Sequence, residues 1–590
     1  MRYLKLIIIV FTVVLSAAAV GPSSNHHSVE AGFEYIKSQT ILFAASVHQL
    51  KWSINRINLS DRHTVQPVID ALKSCRLHYK KISFFLDYFY PQQGKLFNAP
   101  AKREVEEPYM EFEESQSFQQ MESVLYGSNP QKNKTALQNL AIVLDESAAD
   151  LPALYFGFTA THAQMTESLH LELIRIMTLY ITGYDAPDLK TGINESRSSL
   201  ESISVMANLL FQPVTAEATM FDSMANRAIR FTQLTDFDHF NRLDFLTRFA
   251  LPLEEQLNKC IVSYGWQFST VSALNYNAKN LFRGEFNAAN TKPTDSLIDL
   301  GRKLFSEKAL SGNNIRSCSS CHQPDKYFTD QVVANRKINN TGLLRRNTPT
   351  LYYASYQSSQ FWDGRAATLS EQIGDVLINP EEMNASIPEI KQRLSQNEKY
   401  KSSFRDSVTL IQIEAALSAY LYTLQPMNSP FDRYIAGDHQ ALTSEQKKGF
   451  NLFMGKAQCG TCHFAPIFNG STPPFFNHTE YEVLGVPGLD RSAKNIADKD
   501  LGRYEQFPIY LYKGAFKTPT VRNSAKTGPY MHNGRFNSLL QVLDFYNRGG
   551  GAGIGLSNTE QTLSSKPLRL SKEDLNDIIA FLQALTDGIR

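Results

Sequence analysis

Two five-residue motifs constrain this chain more than anything else in it: Cys318-Ser319-Ser320-Cys321-His322 and Cys459-Gly460-Thr461-Cys462-His463. Cysteines at i and i+3 can each add to a vinyl group of one haem. The histidine that follows is then held against the iron. One such motif can arise by chance or bind zinc. Two of them, each preceded by a helix-like segment, point to covalent haem c. Zinc would want four ligands per site, and no second CxxC completes either set. A shared zinc site and redox dithiols are the competing readings. A haem supplies much of the core around it, so long loops between few helices are expected here.

The chain is long enough, at 590 residues, for two to four domains. Residues 1–21 read as a secretory signal peptide. Arg2 and Lys5 precede the apolar run Leu6 to Leu15, and small residues Ser16 to Ala19 lead to Gly21-Pro22. The run is short for a membrane span; a retained N-terminal anchor is the alternative. The formal net charge of +1 gives no reason to expect nucleic acid or an anionic membrane as partner. Export permits Cys75 and Cys260 to pair, and their spacing does not decide it.

Residues 22–280 carry helical periodicity. Leu137, Leu140, Ile142 and Leu144 belong to one segment, and Leu173, Ile176, Met177 and Tyr180 mark a face of another. Tyr90 to Glu114, with its prolines and acidic run, reads as irregular surface. Residues 281–435 and 436–590 share a plan of helix, loop, CxxCH, long irregular stretch and helix. Thr443 with Gln446, and Ser571 with Asp574, are expected capping pairs. The expected fold is all-α: two cytochrome c-like haem domains preceded by a mostly helical N-terminal domain. Gly549 to Gly555 lacks the lysine of a phosphate loop and reads as a flexible turn.

The sixth iron position decides what each haem does. Besides His463, only His439, His478 and His532 follow the first motif, and none lies between 323 and 438. That region offers Glu371, Glu382 and Gln372 instead. A distal carboxylate can shuttle a proton while a peroxide O–O bond breaks. The plain alternative for either acid is a solvated helix charge.

The second half of the chain, about 285–590, resembles the bacterial dihaem cytochrome c peroxidase family. The residues that carry the resemblance are Leu300-Gly301-Arg302-Lys303-Leu304-Phe305, Arg346-Asn347-Thr348-Pro349-Thr350 and Phe361-Trp362-Asp363-Gly364-Arg365-Ala366. Asn379-Pro380-Glu381-Glu382-Met383, Lys517-Thr518-Pro519-Thr520-Val521-Arg522-Asn523 and Thr527-Gly528-Pro529-Tyr530-Met531-His532-Asn533-Gly534 complete it. The resemblance implies that the first haem is peroxidatic and that Glu382 is its acid/base. Gln372 would hold a water or the peroxide, and Trp362 would carry electrons between the haems. It also implies a calcium ion between the haem domains, at Asn347, Thr527 and Pro529. Its members imply a periplasmic enzyme, a small cytochrome c or cupredoxin as donor, and a homodimer as one form of assembly.

Two departures matter. The loop Tyr327 to Leu344 has no histidine, which implies an open peroxidatic haem. At the second haem Tyr546 stands where a peroxidase has methionine, with Met531 a nearby alternative ligand. A phenolate would lower that haem's potential relative to a thioether. Tyrosine here resembles the subgroup that oxidises amino acids on partner proteins, such as the maker of the tryptophan tryptophylquinone of methylamine dehydrogenase. Three functions follow: reduction of hydrogen peroxide, peroxide-driven oxidation of a protein substrate, and non-enzymatic electron carriage. The region before 280 carries no activity over from the resemblance; docking a donor, binding a substrate protein and tethering all remain open.

Overall fold

The computed structural model describes residues 26–266 and 293–588, apart from 103, 107–110, 128, 405–406, 491–495 and 557–560. The expected signal segment and the boundary near 280 lie outside the described residues. Among the described residues, no helix is long and apolar enough to cross a membrane.

Residues 26–266 are predominantly helical. The longer helices are α1 (His26–Asn55), α2 (Gln66–Tyr79), α3 (Lys134–Leu154), α4 (His162–Thr178), α5 (Gly192–Leu210), α6 (Ala216–Phe231) and α7 (Leu251–Ser263). Thr161 starts α4 through a capping box with Gln164. The periodic residues Leu173, Ile176 and Met177 are buried, but so is every other residue of α4 from Met165 onward. Its charges are therefore matched from neighbouring elements. Glu172 accepts hydrogen bonds from Ser83 Oγ (2.7 Å) and Tyr180 OH (3.0 Å), and Arg175 lies 3.4 Å from Asp87. Beside them Arg76 holds Glu195 in a two-pronged pair at 2.7 and 2.9 Å. Breaking one partner of such a buried pair costs roughly 3–5 kcal/mol, so these pairs fix how the helices sit. Cys75 and Cys260 are buried and unpaired; Cys75 Sγ donates to the Ser46 carbonyl instead.

The segment from Tyr90 to Glu114 is not the irregular surface expected. It forms the helix Pro91–Asn98 and the antiparallel pair β1 (Glu104–Glu106) and β2 (Glu111–Glu113). Proline suits a first helical position because an N–H there has no intrahelical partner anyway. Phe97 anchors the helix, 5.0 Å from Phe43 and stacked on Phe118. Gly549 to Gly555 also departs from a plain turn, since Gly550–Gly553 makes a short helix.

After residue 293 the chain folds twice to one plan. The first copy holds α8 (Asp295–Phe305), α9 (Leu369–Ile378) and α10 (Leu410–Leu421). The second holds α11 (Ser444–Phe453), α12 (Leu539–Asn547) and α13 (Lys572–Ala584). The capping boxes Thr443/Gln446 and Ser571/Asp574 are both present. In each copy the first helix crosses the last at a glycine. A Cβ on Gly301 would lie 1.9 Å from the Ala416 carbonyl oxygen, and one on Gly449 the same distance from that of Asp577. Only a residue without a side chain permits such an approach. Strands β3 (Tyr481–Val483) and β4 (Ala515–Lys517) pair antiparallel within the second copy, in the stretch between its CxxCH motif and α12.

Among the described residues, most buried apolar side chains fall into two cores. One is built from residues 300–424 with Ile467. The other joins the N-terminal helices to the second copy, including Phe450, Phe453, Phe468 and Phe581. The first and third regions of the chain thus share one interior.

Candidate functional site

Both CxxCH motifs fold as the same turn. In the first, the amides of Cys321 and His322 donate to the Cys318 carbonyl at 3.2 and 2.9 Å; in the second, those of Cys462 and His463 donate to Cys459 at 3.2 and 2.9 Å. Each histidine is oriented by its Nδ1. That of His322 lies 3.0 Å from the Phe328 carbonyl, and that of His463 lies 3.0 Å from the Pro519 carbonyl. An Nδ1–H bound to a carbonyl leaves Nε2 as the free ligand atom, the usual arrangement for a metal-bound histidine. Burial lowers both imidazoles, His463 to about 4, which favours the neutral form that ligates a metal. Burial pushes the thiols of Cys318 and Cys459 up to about 12 and that of Cys321 to about 11. Among the described residues no three His, Cys, Asp or Glu side chains converge as a metal cluster. The donor set fits a haem at each turn better than a shared zinc.

Around the first motif, Arg316 ties the CxxCH loop to the segment after α9. Its Nη1 donates to the Glu382 carbonyl at 3.1 Å and its Nη2 to that of Arg336 at 2.8 Å. The Gly312 amide donates to the Met383 carbonyl at 2.9 Å. These bonds hold Glu382 where its charge is felt at the Cys321 thiol. Its Oε1 accepts a bond from Asn379 Nδ2 at 3.3 Å. Burial raises the Glu382 carboxyl above the ordinary carboxylate range, against the opposing pull of Arg365 and Arg316. Glu371 differs: it is exposed, and its Oε2 accepts the Ala367 amide at 2.8 Å near the start of α9. The solvated-charge reading holds for Glu371.

A cavity of about 1790 Å³ opens at the second motif, larger than the ~300–1,000 Å³ of ordinary ligand pockets. Cys459, Cys462, His463, Tyr546, Trp362 and Gln372 all line it. Cys318, Cys321, His322 and Glu382 do not. Tyr546 comes from α12; burial, then the neighbouring cysteines, raise its hydroxyl well above the ordinary tyrosine value. Trp362 is fixed at both ends. Its Nε1 donates to the Asn347 carbonyl at 2.8 Å, and its own carbonyl accepts the Lys517 amide at 2.7 Å.

Asn347, Thr527 and Pro529 line the same cavity. The Asn347 amide nitrogen donates to the Val332 carbonyl at 2.9 Å, which leaves Oδ1 as its acceptor end. Ser524 Oγ, on the same wall, is buried without a hydrogen-bond partner. Hard oxygen donors of this kind are what calcium takes.

Several residues of the site were not singled out from sequence. Arg316 adjoins the first motif, and Asp330 is buried where its charge supports His322. The crossing glycines carry a readable signal: Gly-x-x-Leu-Phe recurs at 301–305 and 449–453.

Paired CxxCH turns, each with its histidine oriented by a backbone carbonyl, fit a dihaem c-type protein. The di-haem cytochrome c peroxidase family matches residues 295–440. The chain is similar to cytochrome-c peroxidase IdrP2 of Denitromonas iodatirespirans, with 32% identity over 352 residues, 55% of this chain and 90% of that protein. It is also similar to methylamine utilization protein MauG of Methylorubrum extorquens, with 34% identity over 300 residues, 50% of this chain and 78% of the relative. Among solved structures, a MauG-like protein associated with microbial copper homeostasis matches at 26% identity and a TM-score of 0.44, over 50% of this chain and 91% of that one. The chain belongs to the dihaem cytochrome c peroxidase family.

Proposed function

We propose that the protein reduces hydrogen peroxide to two waters at the haem of His322, taking two protons and two electrons. The electrons enter at the haem of His463 from a small cytochrome c or cupredoxin. The bound haems supply the redox chemistry; the residues around them hold ligands, move protons and set the path. The observation that carries the reading is Glu382, a half-buried carboxyl with a raised pKa that Arg316 ties to the first CxxCH loop. A carboxyl whose pKa is raised can hold the proton and return it as the O–O bond breaks. Gln372 has the donor and acceptor to orient peroxide or water. Trp362, clamped at its indole and its carbonyl, is the aromatic step between the two motifs. Asn347, Thr527 and Pro529 are the proposed calcium ligands, supported by the orphaned Ser524 Oγ beside them. The two copies are read as cytochrome c-like domains, and the cellular location as the periplasm. Peroxide turnover by Glu382→Gln tests the reading: an unchanged rate with a small cytochrome donor removes Glu382 from this role.

One observation favours a second reading, oxidation of an amino acid on a partner protein. Tyr546 lines the cavity beside His463, where a phenolate could serve as sixth ligand. Such a ligand lowers the haem potential and makes uptake from a high-potential donor harder. Tyr546→Met, with the second haem's potential as readout, separates the readings. An upward shift with faster cytochrome-driven turnover supports tyrosine ligation; an unmoved potential rejects it.

A further inference from the structure

The helical unit of residues 26–266 has no part in the mechanism above, yet it walls the second haem's cavity. Lys102, Glu122 and Tyr184 line it together with Cys459, Cys462 and His463. Lys102 crosses the boundary: its Nζ donates to Glu482 Oε1 at 2.5 Å and to Glu480 Oε2 at 3.2 Å. Tyr184 OH donates to the other Glu480 oxygen at 3.3 Å, and Thr562 Oγ1 donates to Glu482 Oε2. Glu482 Oε1 lies 3.6 Å from Cys462 Sγ. In the loaded protein that sulfur is a thioether, so this distance measures how near the carboxylate stands to the haem edge.

We propose that Lys102 is a positioning residue through which the N-terminal unit sets the reduction potential of the second haem. The inference rests on the assignment of a haem to Cys459, Cys462 and His463. Negative charge beside a haem favours its ferric form, which carries one more positive charge, and so lowers the potential. Glu482 is only 8% exposed, so water screens its charge poorly. The Lys102 ammonium offsets that field and holds both carboxylates in place.

The test is a redox titration of the holoenzyme followed by visible spectra, with Lys102→Met, Lys102→Arg and Glu482→Gln. Lys102→Met is expected to shift the second haem's midpoint negative and Glu482→Gln to shift it positive. Lys102→Arg should restore the wild-type value, and the first haem should stay put throughout. An unmoved second midpoint in Lys102→Met, or a Glu482→Gln shift that is absent or negative, overturns the proposal. If Lys102→Met fails to fold, the sign in Glu482→Gln decides alone. A pyridine haemochrome count below two haems in the wild type would instead defeat the underlying haem assignment.

Discussion

The two copies that follow residue 293 share a helix crossing almost atom for atom. Phe305 meets Tyr420 edge-on at 5.2 Å beside Gly301, and Phe453 meets Phe581 edge-on at 5.3 Å beside Gly449. Their CxxCH turns have the same hydrogen bonds to the first cysteine carbonyl. What differs is the cover. The first motif faces the arginine-tied segment that carries Glu382, inside a core of its own. The second faces Tyr546 and the N-terminal helices, with which it shares an interior. A duplicated backbone plan thus fixes where a haem and its proximal histidine go. Function is written in the loops and added elements that close the other side.

The largest effect should come from the side that has no counterpart in the second copy. Glu382→Gln should lower peroxide turnover by about 10²–10⁴-fold, with two haems still bound by haemochrome assay. The same carboxyl sets a pH limb. Its pKa is raised in the folded protein, so the carboxylate needed as base is lost, on acidification, at a higher pH than the ~4.3 of an ordinary glutamate. The kcat/KM profile should therefore fall on its acid side above that value, and the limb should vanish in Glu382→Gln. Retention of the limb in the variant would assign it to another group.

The shared plan makes a symmetric prediction. Gly301→Ala and Gly449→Ala each drive a Cβ to 1.9 Å from a carbonyl oxygen, and each should cost at least the ~1–3 kcal/mol of core overpacking. Denaturant unfolding of both variants checks this; tolerance of alanine at one crossing alone would break the duplication. Smallest is the loss of a helix cap. Thr443→Ala removes the acceptor of the Gln446 amide and should cost about 1 kcal/mol by the same assay.

Much of this was legible because it is local. The CxxCH turns and the Thr443 and Ser571 caps depend on residues within four positions of one another. Trp362, Gln372 and Tyr546 line one cavity at the second motif, whereas the resemblance put Gln372 at the first haem. The resemblance singled out Glu382 over Glu371, and the two differ in environment: Glu371 is exposed and Glu382 half-buried with a raised pKa. The remainder is set by long-range partners. Lys102 and Glu482 are 380 positions apart. The charges of α4 look like a polar face until Asp87, Ser83 and Ser199 arrive from other helices to match them. Likewise, the prolines and acids around 91–114 suggest a loop until Phe97 finds Phe43 and Phe118.

The central claim is that two like turns hold two unlike haems, and EPR of the oxidised holoenzyme tests it most directly. The expected spectrum has one high-spin haem, open at its sixth position, and one low-spin haem. Tyr546→Phe should alter only the low-spin signal. Two low-spin haems, each with a strong sixth ligand in the wild type, would contradict the account.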